Sequence, residues 1–297
     1  MNKKAKIITL IVLLTFIVVS LISFMIFAIT KNTFNFGSMV INQTTSKNLT
    51  HEEVYENTFN EINIKSDSAD IEIKESSDDK VKVLIYSDEE DEKVDINNDT
   101  NLNINLSNNI KISFFKFNNK NSKIELYVPT NYDKKITIES DYGNINIADF
   151  NNLNLDIESD CGDIKIEGAN NLKLKSSYGD SIIRQVNKVN IVSDCGDVKI
   201  NNANSVKIEN SFGDTEIKNV TEYVNITSDC GDIEIGNMTL VRNSKIKSDL
   251  GDVSIEKISN VFIDATVDLG EIDIKNNDRQ SNITLTIENN CGDIEVN

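Results

Sequence analysis

The octet SDCGDIKI at residues 159–166 returns as SDCGDVKI at 193–200 and as SDCGDIEI at 228–235. Between these copies, SSYGDSII and NSFGDTEI keep the Gly-Asp pair and replace the cysteine by Tyr or Phe. A short and nearly constant spacing of this kind is typical of a repeat architecture. The repeated glycines are Gly143, Gly162, Gly179, Gly196, Gly213, Gly231, Gly251, Gly270 and Gly292.

Each Gly-Asp pair separates two stretches in which apolar and polar residues alternate. Leu155 and Ile157 precede the first quoted turn, and Ile164 and Ile166 follow it. Such alternation predicts strands with one buried face. Glycine accepts a positive φ at a turn, and an aspartate there can bond to the local backbone. We therefore expect an all-β fold in which each repeat makes one tight turn.

Two architectures fit these strands. In a parallel β-solenoid of about 17–20-residue repeats, each repeat stacks about 4.8 Å from the next. In an antiparallel β-meander, each Gly-Asp pair would instead be a hairpin turn. The solenoid is favoured because it buries its apolar face by stacking, whereas a long meander must close or curl. Ser68-Ala69-Asp70, followed by Ile71 and Ile73, resembles a decayed earlier copy of the repeat.

Counting by twos along the strands predicts that the variable residue before each glycine faces the core. Ser159 and Cys161 continue the phase of Leu155 and Ile157. We expect buried thiols at Cys161, Cys195, Cys230 and Cys291, beside an interior ladder of serines. A Cys161→Tyr change should then cost about 1–3 kcal/mol by overpacking. Buried hydroxyls need partners, which neighbouring rungs or the turn backbone can supply.

The state of the four thiols depends on how many repeats form one coil. If each repeat is one rung, successive cysteines are two rungs, or about 9.6 Å, apart. A disulfide requires Cα atoms within about 7 Å, so the thiols would be free. If one coil holds two repeats, Cys161 and Cys195 come within bonding distance. The sequence leaves this choice open.

The N-terminus carries a long apolar stretch. Residues 7–30 contain no charged side chain. As a helix they would span roughly 36 Å, enough to cross a hydrocarbon core of about 30 Å. Lys3, Lys4 and Lys6 precede the span, so the positive-inside rule places the N-terminus in the cytoplasm. The stretch is too long for a signal peptide and lacks its small-residue cleavage site, so we expect an uncleaved anchor.

These features predict a linear plan for the chain. It comprises a cytoplasmic tail (1–6), a transmembrane anchor (7–30), a polar tether (31–57), an N-terminal β-layer that caps the stack (58–130) and the solenoid repeats (131–297). The whole chain has a net charge of −18. Beyond residue 30 it holds 27 basic and 48 acidic side chains, a net charge of −21. Such a surface repels nucleic acid, which we exclude as a partner.

The sequence contains no recognisable catalytic or cofactor-binding centre. His51 is the only histidine, which excludes histidine-based triads and multi-histidine metal sites. No pair of carboxylates is distinguished by its context, so a glycosidase has no specific support. Stacked aspartates at Asp163, Asp197 and Asp232 could bind a divalent cation such as calcium. The alternative is that these aspartates cap their turns and are screened by solvent.

The join LYVPTNYDKKITIESDYGNINI at 126–147, followed by serial Gly-Asp turns, resembles the "putative adhesin" β-strand-repeat family. This group, domain of unknown function 4097, consists of bacterial envelope proteins and includes LiaG-like proteins. The resemblance covers 58–297 and implies an extracytoplasmic, non-catalytic role. That role would be adhesion or binding of cell-envelope components, or accessory sensing of envelope stress through a membrane partner. The family has no assigned catalytic residues to carry over.

Overall fold

The computed structural model describes residues 48–87, 92–108 and 122–297, and its regular elements there are all β-strands. In chain order they are β1 (Leu49–Glu56), β2 (Glu61–Ser66), β3 (Ala69–Ser76), β4 (Lys80–Tyr86), β5 (Glu92–Asn98), β6 (Leu102–Asn108), β7 (Ser122–Pro129), β8 (Lys135–Tyr142), β9 (Ile145–Asp149), β10 (Asn154–Cys161), β11 (Ile164–Tyr178), β12 (Ser181–Cys195), β13 (Val198–Phe212), β14 (Thr215–Cys230), β15 (Ile233–Met238), β16 (Ser244–Leu250), β17 (Val253–Ile258), β18 (Phe262–Leu269), β19 (Ile272–Ile274), β20 (Thr284–Cys291) and β21 (Ile294–Val296).

The repeats stack as parallel rungs, with one repeat in each coil. Leu155 of β10 lies opposite Leu172 of β11, which in turn lies opposite Val189 of β12. The chain therefore advances by one rung for every 17 residues in this region. The fold is a parallel β-solenoid of about nine turns, as predicted, with repeats of about 19 residues. The meander and the two-repeat coil are both excluded by this register.

Each coil contributes one strand segment to each of two faces. The first face contains β2, β6, β8, β10, the C-terminal halves of β11–β14, β16, β18 and β20. The second contains β3, β7, β9, the N-terminal halves of β11–β14, β15, β17, β19 and β21. The chain passes from the first face to the second at the Gly-Asp edge, and returns at the far edge. Apolar side chains from both faces form one continuous core.

The order of rungs at both ends of the stack differs from their order in the chain. The coil β2–β3 pairs with β8–β9 on one side and with β6–β7 on the other. At the opposite end, β20–β21 lies between β16–β17 and β18–β19. Parallel pairing thus extends into residues 58–130, expected to be a capping layer. Antiparallel strands in that segment, β4 on β7 and β5 on β6, flank the outer rung.

Part of the predicted tether, residues 31–57, is a strand. β1 pairs antiparallel with β4. Its residues are all exposed or half-exposed, so this edge strand has no buried face to generate an alternating apolar pattern. The predicted anchor, residues 7–30, lies outside the described residues. Within the described ranges, no helix is long and apolar enough to cross a bilayer.

The predicted interior ladder beside the turns is buried. Its serines are Ser140, Ser159, Ser176, Ser193, Ser228 and Ser248. Two asparagines continue this buried ladder, and their side chains bond to the backbone of the turns. Asn210 Nδ2 donates to the Gly213 carbonyl at 2.8 Å, and Asn289 Nδ2 donates to the Gly251 carbonyl at 2.9 Å. In the described part of the chain, the six serine hydroxyls have no hydrogen-bond partner. Hydroxyls on adjacent rungs, about 4.8 Å apart, are too distant to pair directly.

Candidate functional site

The variable residues before the glycines form a column on the surface, and the prediction that they face the core is wrong. The large members, Tyr142, Tyr178, Phe212, Leu250 and Leu269, are between 52% and 70% exposed. Cys161, Cys195 and Cys230 are half-exposed, and Cys291 is exposed. The four thiols are free but are not buried.

The error has a geometric cause at the corner of the coil. Ser159 is still buried, whereas Cys161, two residues later, is not. Strict alternation holds only while a strand runs straight. At Gly162, whose φ is 137°, the chain turns from one face toward the other. The residue before this glycine therefore points out of the corner rather than into the core.

The apolar column, as we call this set, alternates large and small residues along the stack. Its order is Tyr142, Cys161, Tyr178, Cys195, Phe212, Cys230, Leu250, Cys291 and Leu269. Large side chains thus recur every second rung, or about every 9.6 Å. Each cysteine lies in the notch between two of them. The eight rung steps give the column a length of about 38 Å.

Stacked glycines form the turns beside this column. All nine have φ between 129° and 151°, a region that other L-residues rarely adopt. A Cβ on Gly196 would lie 2.1 Å from the carbonyl oxygen of Gly179 in the adjacent rung. Successive turns therefore contact one another through their backbones, and this contact requires glycine.

The acidic residue after each glycine links one rung to the next. The backbone N–H of Asp180 donates to Asp163 Oδ1 at 3.1 Å, and that of Asp197 donates to Asp180 Oδ1 at 2.9 Å. The same bond recurs up the stack, from the N–H groups of Asp214, Asp232, Asp252, Asp293 and Glu271 to the carboxylate of the preceding rung. The capping anticipated within each turn occurs instead between rungs.

An asparagine can replace an aspartate in this ladder. Asn144 Oδ1 accepts the N–H of Asp163 at 2.9 Å, and the N–H of Asn144 donates to Asp70 Oδ1 at 3.0 Å. Asp70 is therefore part of the ladder, in agreement with the decayed repeat predicted at Ser68-Ala69-Asp70. The bond needs a side-chain oxygen but not a negative charge. The charges that the ladder carries are thus not required by its geometry.

The predicted cation ligands lie in this ladder. Asp163, Asp197 and Asp232 occupy alternate rungs, with Asp180 and Asp214 between them. Across the described ranges, no group of three or more His, Cys, Asp or Glu side chains is arranged to hold a metal ion. Cation binding along the ladder stays a prediction.

A second row of acids lies on the other side of the apolar column. It consists of Asp141, Asp160, Asp194, Asp229, Asp249 and Asp268, each immediately before a column residue. With the seven aspartates and Glu271 that follow glycines, fourteen acidic residues flank the column in nine rungs, and neither row contains Lys or Arg.

Nearby lysines respond to this negative field. Hydrogen bonding to Asp249 raises the pKa of Lys247, and the charge of Asp229 adds to the effect. The pKa of Lys175 is raised by its hydrogen bond to Glu158, with further contributions from the charges of Asp160 and Asp194. Both lysines belong to the first face and neither lies in the acidic rows. Two of the fourteen acids pair with lysines beside the edge: Asp249 with Lys247 at 3.0 Å and Asp197 with Lys199 at 3.9 Å. The two rows themselves present acidic and polar side chains around the apolar column.

The far edge carries an amide ladder that sequence reasoning missed. Asn204 Nδ2 donates to Asn187 Oδ1 at 2.9 Å, and Asn187 Nδ2 donates to Asn170 Oδ1 at 3.2 Å. The Thr221 hydroxyl continues the row by donating to Asn204 Oδ1 at 2.9 Å. The recurrence of asparagine every 17 residues was the available signal. These side chains bond to one another, so the ladder consumes much of its own hydrogen-bonding capacity.

A charged network on the second face is a further candidate. Glu125 Oε1 lies 2.8 Å from Lys74 Nζ and 2.7 Å from Lys123 Nζ, and Glu125 also accepts a hydrogen bond from Tyr127. Burial opposes ionisation of Glu125, but these partners outweigh it and lower its pKa to about 2. The network therefore stabilises the fold fully at pH values above 4.5, the ordinary pKa of a glutamate. This stabilisation is lost as the pH falls toward 2. Because its charges pair with one another, we assign it a structural role.

The fold and its edge define an acidic parallel β-solenoid with stacked Gly-Asp turns and a surface apolar column. The chain belongs to the Toastrack DUF4097 family, whose model matches residues 59–221 and 182–297. This agrees with the family resemblance seen in the sequence. No curated protein matches the sequence.

Two solved structures are similar to this chain at low sequence identity. A "putative lipid binding protein" from Parabacteroides distasonis is 13% identical, with a TM-score of 0.50, over 84% of this chain and 97% of that one. A "putative adhesin" from Bacteroides fragilis is 20% identical, with a TM-score of 0.45, over 85% of this chain and 98% of that one. At these identities the likeness concerns the fold alone.

Proposed function

We propose that this protein is a single-pass, membrane-anchored β-solenoid outside the cell with a non-catalytic binding role. Its ligand would be a component of the cell envelope or a surface to which the cell adheres. The observation that carries the proposal is the exposed apolar column, flanked by carboxylates along nine rungs. Contiguous exposed apolar patches rimmed by polar groups mark interaction sites.

The repetition of the edge favours binding over catalysis. A catalytic centre needs different groups that converge on one reacting atom. The Gly-Asp edge instead offers nearly the same groups at every rung, over about 38 Å. Such an array suits an extended ligand or a surface. An accessory role in envelope-stress sensing, through a membrane partner, would use the same edge for recognition.

Placement outside the cell is supported by the apolar span at 7–30 and the lysines before it. Protease added to intact protoplasts should remove the solenoid and leave only the anchor. Complete protection would contradict the orientation, and a mature protein without residues 1–30 would contradict the anchor.

Binding can be tested with the full-length chain in lipid nanodiscs, sedimented with isolated cell envelopes. We expect retention of the wild-type protein and loss of most retention in a Tyr178→Ser, Phe212→Ser variant. Val241→Ser is a matched control, because Val241 is 62% exposed but lies outside the column. Absence of wild-type retention, or equal retention of all three proteins, would contradict the proposal.

A further inference from the structure

We propose that the Gly-Asp edge binds an extended cationic polypeptide in the polyproline II conformation, with an apolar residue at every third position. This inference rests on the proposed binding function and names the chemistry of the ligand. Its basis is the spacing of the apolar column, the charge beside the column, and the shape that alternating large and small residues give it.

The spacing of the column matches polyproline II better than other regular conformations. Large residues recur about every 9.6 Å, which is two rungs. A polyproline II helix has three residues per turn and rises 3.1 Å per residue, so one edge repeats about every 9.3 Å. Over four two-rung intervals the mismatch accumulates to only about 1 Å. Two α-helical turns, about 10.8 Å, would drift by about 5 Å, and a β-strand repeats one face about every 6.7 Å.

The charge at the edge selects a basic ligand. The fourteen flanking acids are more than the rung-to-rung hydrogen bonds require, since Asn144 makes the same bond without a charge. In a polyproline II helix with one edge on the column, the other two residues of each turn lie on the two remaining edges. Long lysine or arginine side chains at those positions can reach toward the two acidic rows. Each acidic row would then contact one basic residue per turn of the ligand, that is, one for every two rungs.

The alternation of large and small residues in the apolar column leaves notches that can hold the apolar residues of the ligand. Cys161 lies in a notch between Tyr142 and Tyr178, and Cys195 lies between Tyr178 and Phe212. Aromatic-lined grooves are a known mode of polyproline II recognition, because the ligand is already extended and loses little entropy. Tyr178 and Phe212 rings can also accept cation–π contacts from the basic side chains.

The same charges disfavour other occupants. A second copy of this chain would bring one acidic edge against another, and an anionic bilayer would be repelled in the same way. A neutral glycan could contact the aromatic residues but would bring no positive charge to the two acidic rows. It would also gain little from Leu250 and Leu269, which continue the column without a ring. A cationic polypeptide satisfies both the charges and the apolar residues.

The probe is a fluorescent peptide made of four Pro-Lys-Lys repeats, whose twelve residues span about 37 Å as polyproline II. Its affinity for the full-length chain in nanodiscs is measured by fluorescence anisotropy, with empty nanodiscs as the blank. A block peptide, with its four prolines together between two runs of four lysines, has the same composition and charge without the period. We expect the periodic peptide to bind about tenfold more tightly, a difference of about 1.4 kcal/mol. A peptide of four Pro-Glu-Glu repeats should not bind.

Two sets of variants separate the apolar and the charged contributions. Tyr178→Ser with Phe212→Ser should weaken binding about tenfold, whereas Val241→Ser should leave it unchanged. Asp163→Asn, Asp197→Asn and Asp232→Asn together should also weaken it and reduce its dependence on salt, while keeping the ladder oxygens. Glu216→Gln, Glu234→Gln and Glu256→Gln, on the second face, remove the same charge and should have the smaller effect.

Several outcomes would overturn the inference. Equal affinity for the periodic and block peptides would show that the edge attracts any polycation and does not recognise the spacing of the apolar residues. Unchanged binding by the Tyr178→Ser, Phe212→Ser variant would place the ligand elsewhere. Tighter binding of a neutral chitooligosaccharide would replace the polypeptide by a glycan. If envelope retention persists while all peptides fail, only this inference is lost and the proposed binding function stands.

Discussion

The chain reverses direction between the two faces at both edges of the solenoid, but the two edges do so with different structures. At the Gly-Asp edge nine rungs use the same tight turn, built on stacked glycines. A side-chain oxygen of one rung accepts the backbone N–H of the next. At the far edge β11–β14 continue around the corner as single strands, and elsewhere loops of different length join the faces. Among these nine rungs the Gly-Asp edge is uniform and the far edge varies.

Among the nine rungs with a glycine turn, differences in repeat length are therefore absorbed at the far edge. The register shift between β13 and β14 falls there, between Ala203 and Ser205. The connections from β15 to β16 and from β17 to β18 lie at the same edge. Backbone contacts that tolerate no Cβ cannot accommodate an extra residue, whereas amide side chains can shift and pair again. Within these nine rungs the constant turn sets the spacing of the stack, and the far edge adjusts to it.

The largest expected effect comes from placing a methyl group at each edge. Gly196→Ala forces a Cβ to within 2.1 Å of backbone at a φ of 135°, so we expect a loss of at least about 3 kcal/mol in unfolding free energy. Gly168→Ala at the far edge meets mainly the movable carboxylate of Asp149 and should cost about half as much or less. Urea unfolding followed by circular dichroism measures both. Similar losses of unfolding free energy in the two variants would show that the two edges tolerate a Cβ equally.

A smaller effect should distinguish the oxygen of the aspartate ladder from its charge. Asp197→Ala removes the acceptor for the N–H of Asp214, 3.0 Å away, and should cost about 1–2 kcal/mol. Asp197→Asn keeps an acceptor, as Asn144 does, and should change stability by less than about 0.5 kcal/mol. Asn187→Ala is the far-edge control, and we expect a smaller loss than for Asp197→Ala. The same urea assay applies, and an Asn variant as unstable as the Ala variant would show that the charge matters.

The corrected position of the cysteines predicts a still smaller effect. Cys161→Tyr places a ring in a surface notch, so we expect a change within about 0.5 kcal/mol rather than the cost of overpacking a core. The native thiols should react with a maleimide without denaturant, Cys291 first because it is the most exposed. Thiols that react only after unfolding would show that the cysteines are buried, as the sequence predicted.

The smallest effect concerns calcium. Calcium and sodium chloride at matched ionic strength should raise the melting temperature equally, because both screen the acidic edge. A cation bound only by the folded state at a hundredfold excess over its Kd would add about 2.7 kcal/mol. A calcium-specific rise that disappears in the Asp163→Asn, Asp197→Asn, Asp232→Asn variant would make the ladder a metal site and sharpen the difference between the edges.

Features that depend only on the local period of the residues could be predicted without the structure. Alternation in twos marked the strands, and a spacing of about 17 residues between Gly-Asp pairs marked one tight turn per repeat. The buried serines, such as Ser159 and Ser176, followed correctly because they lie where their strands are still straight. The choice of a solenoid followed from the need to bury a repeated apolar face.

Only the tertiary structure showed the side-chain directions at the corners of the coil and the contacts between rungs. Cys161 and Tyr178 left the predicted phase because the corner redirects their side chains, and alternation carries no information about a bend. The partner of Asp163 is the N–H of Asp180, 17 residues away, so local turn chemistry could not identify it. The insertion of β20–β21 inside β18–β19 reflects packing between distant segments. A periodic sequence specifies the repeating unit, but the contacts between units set its surface.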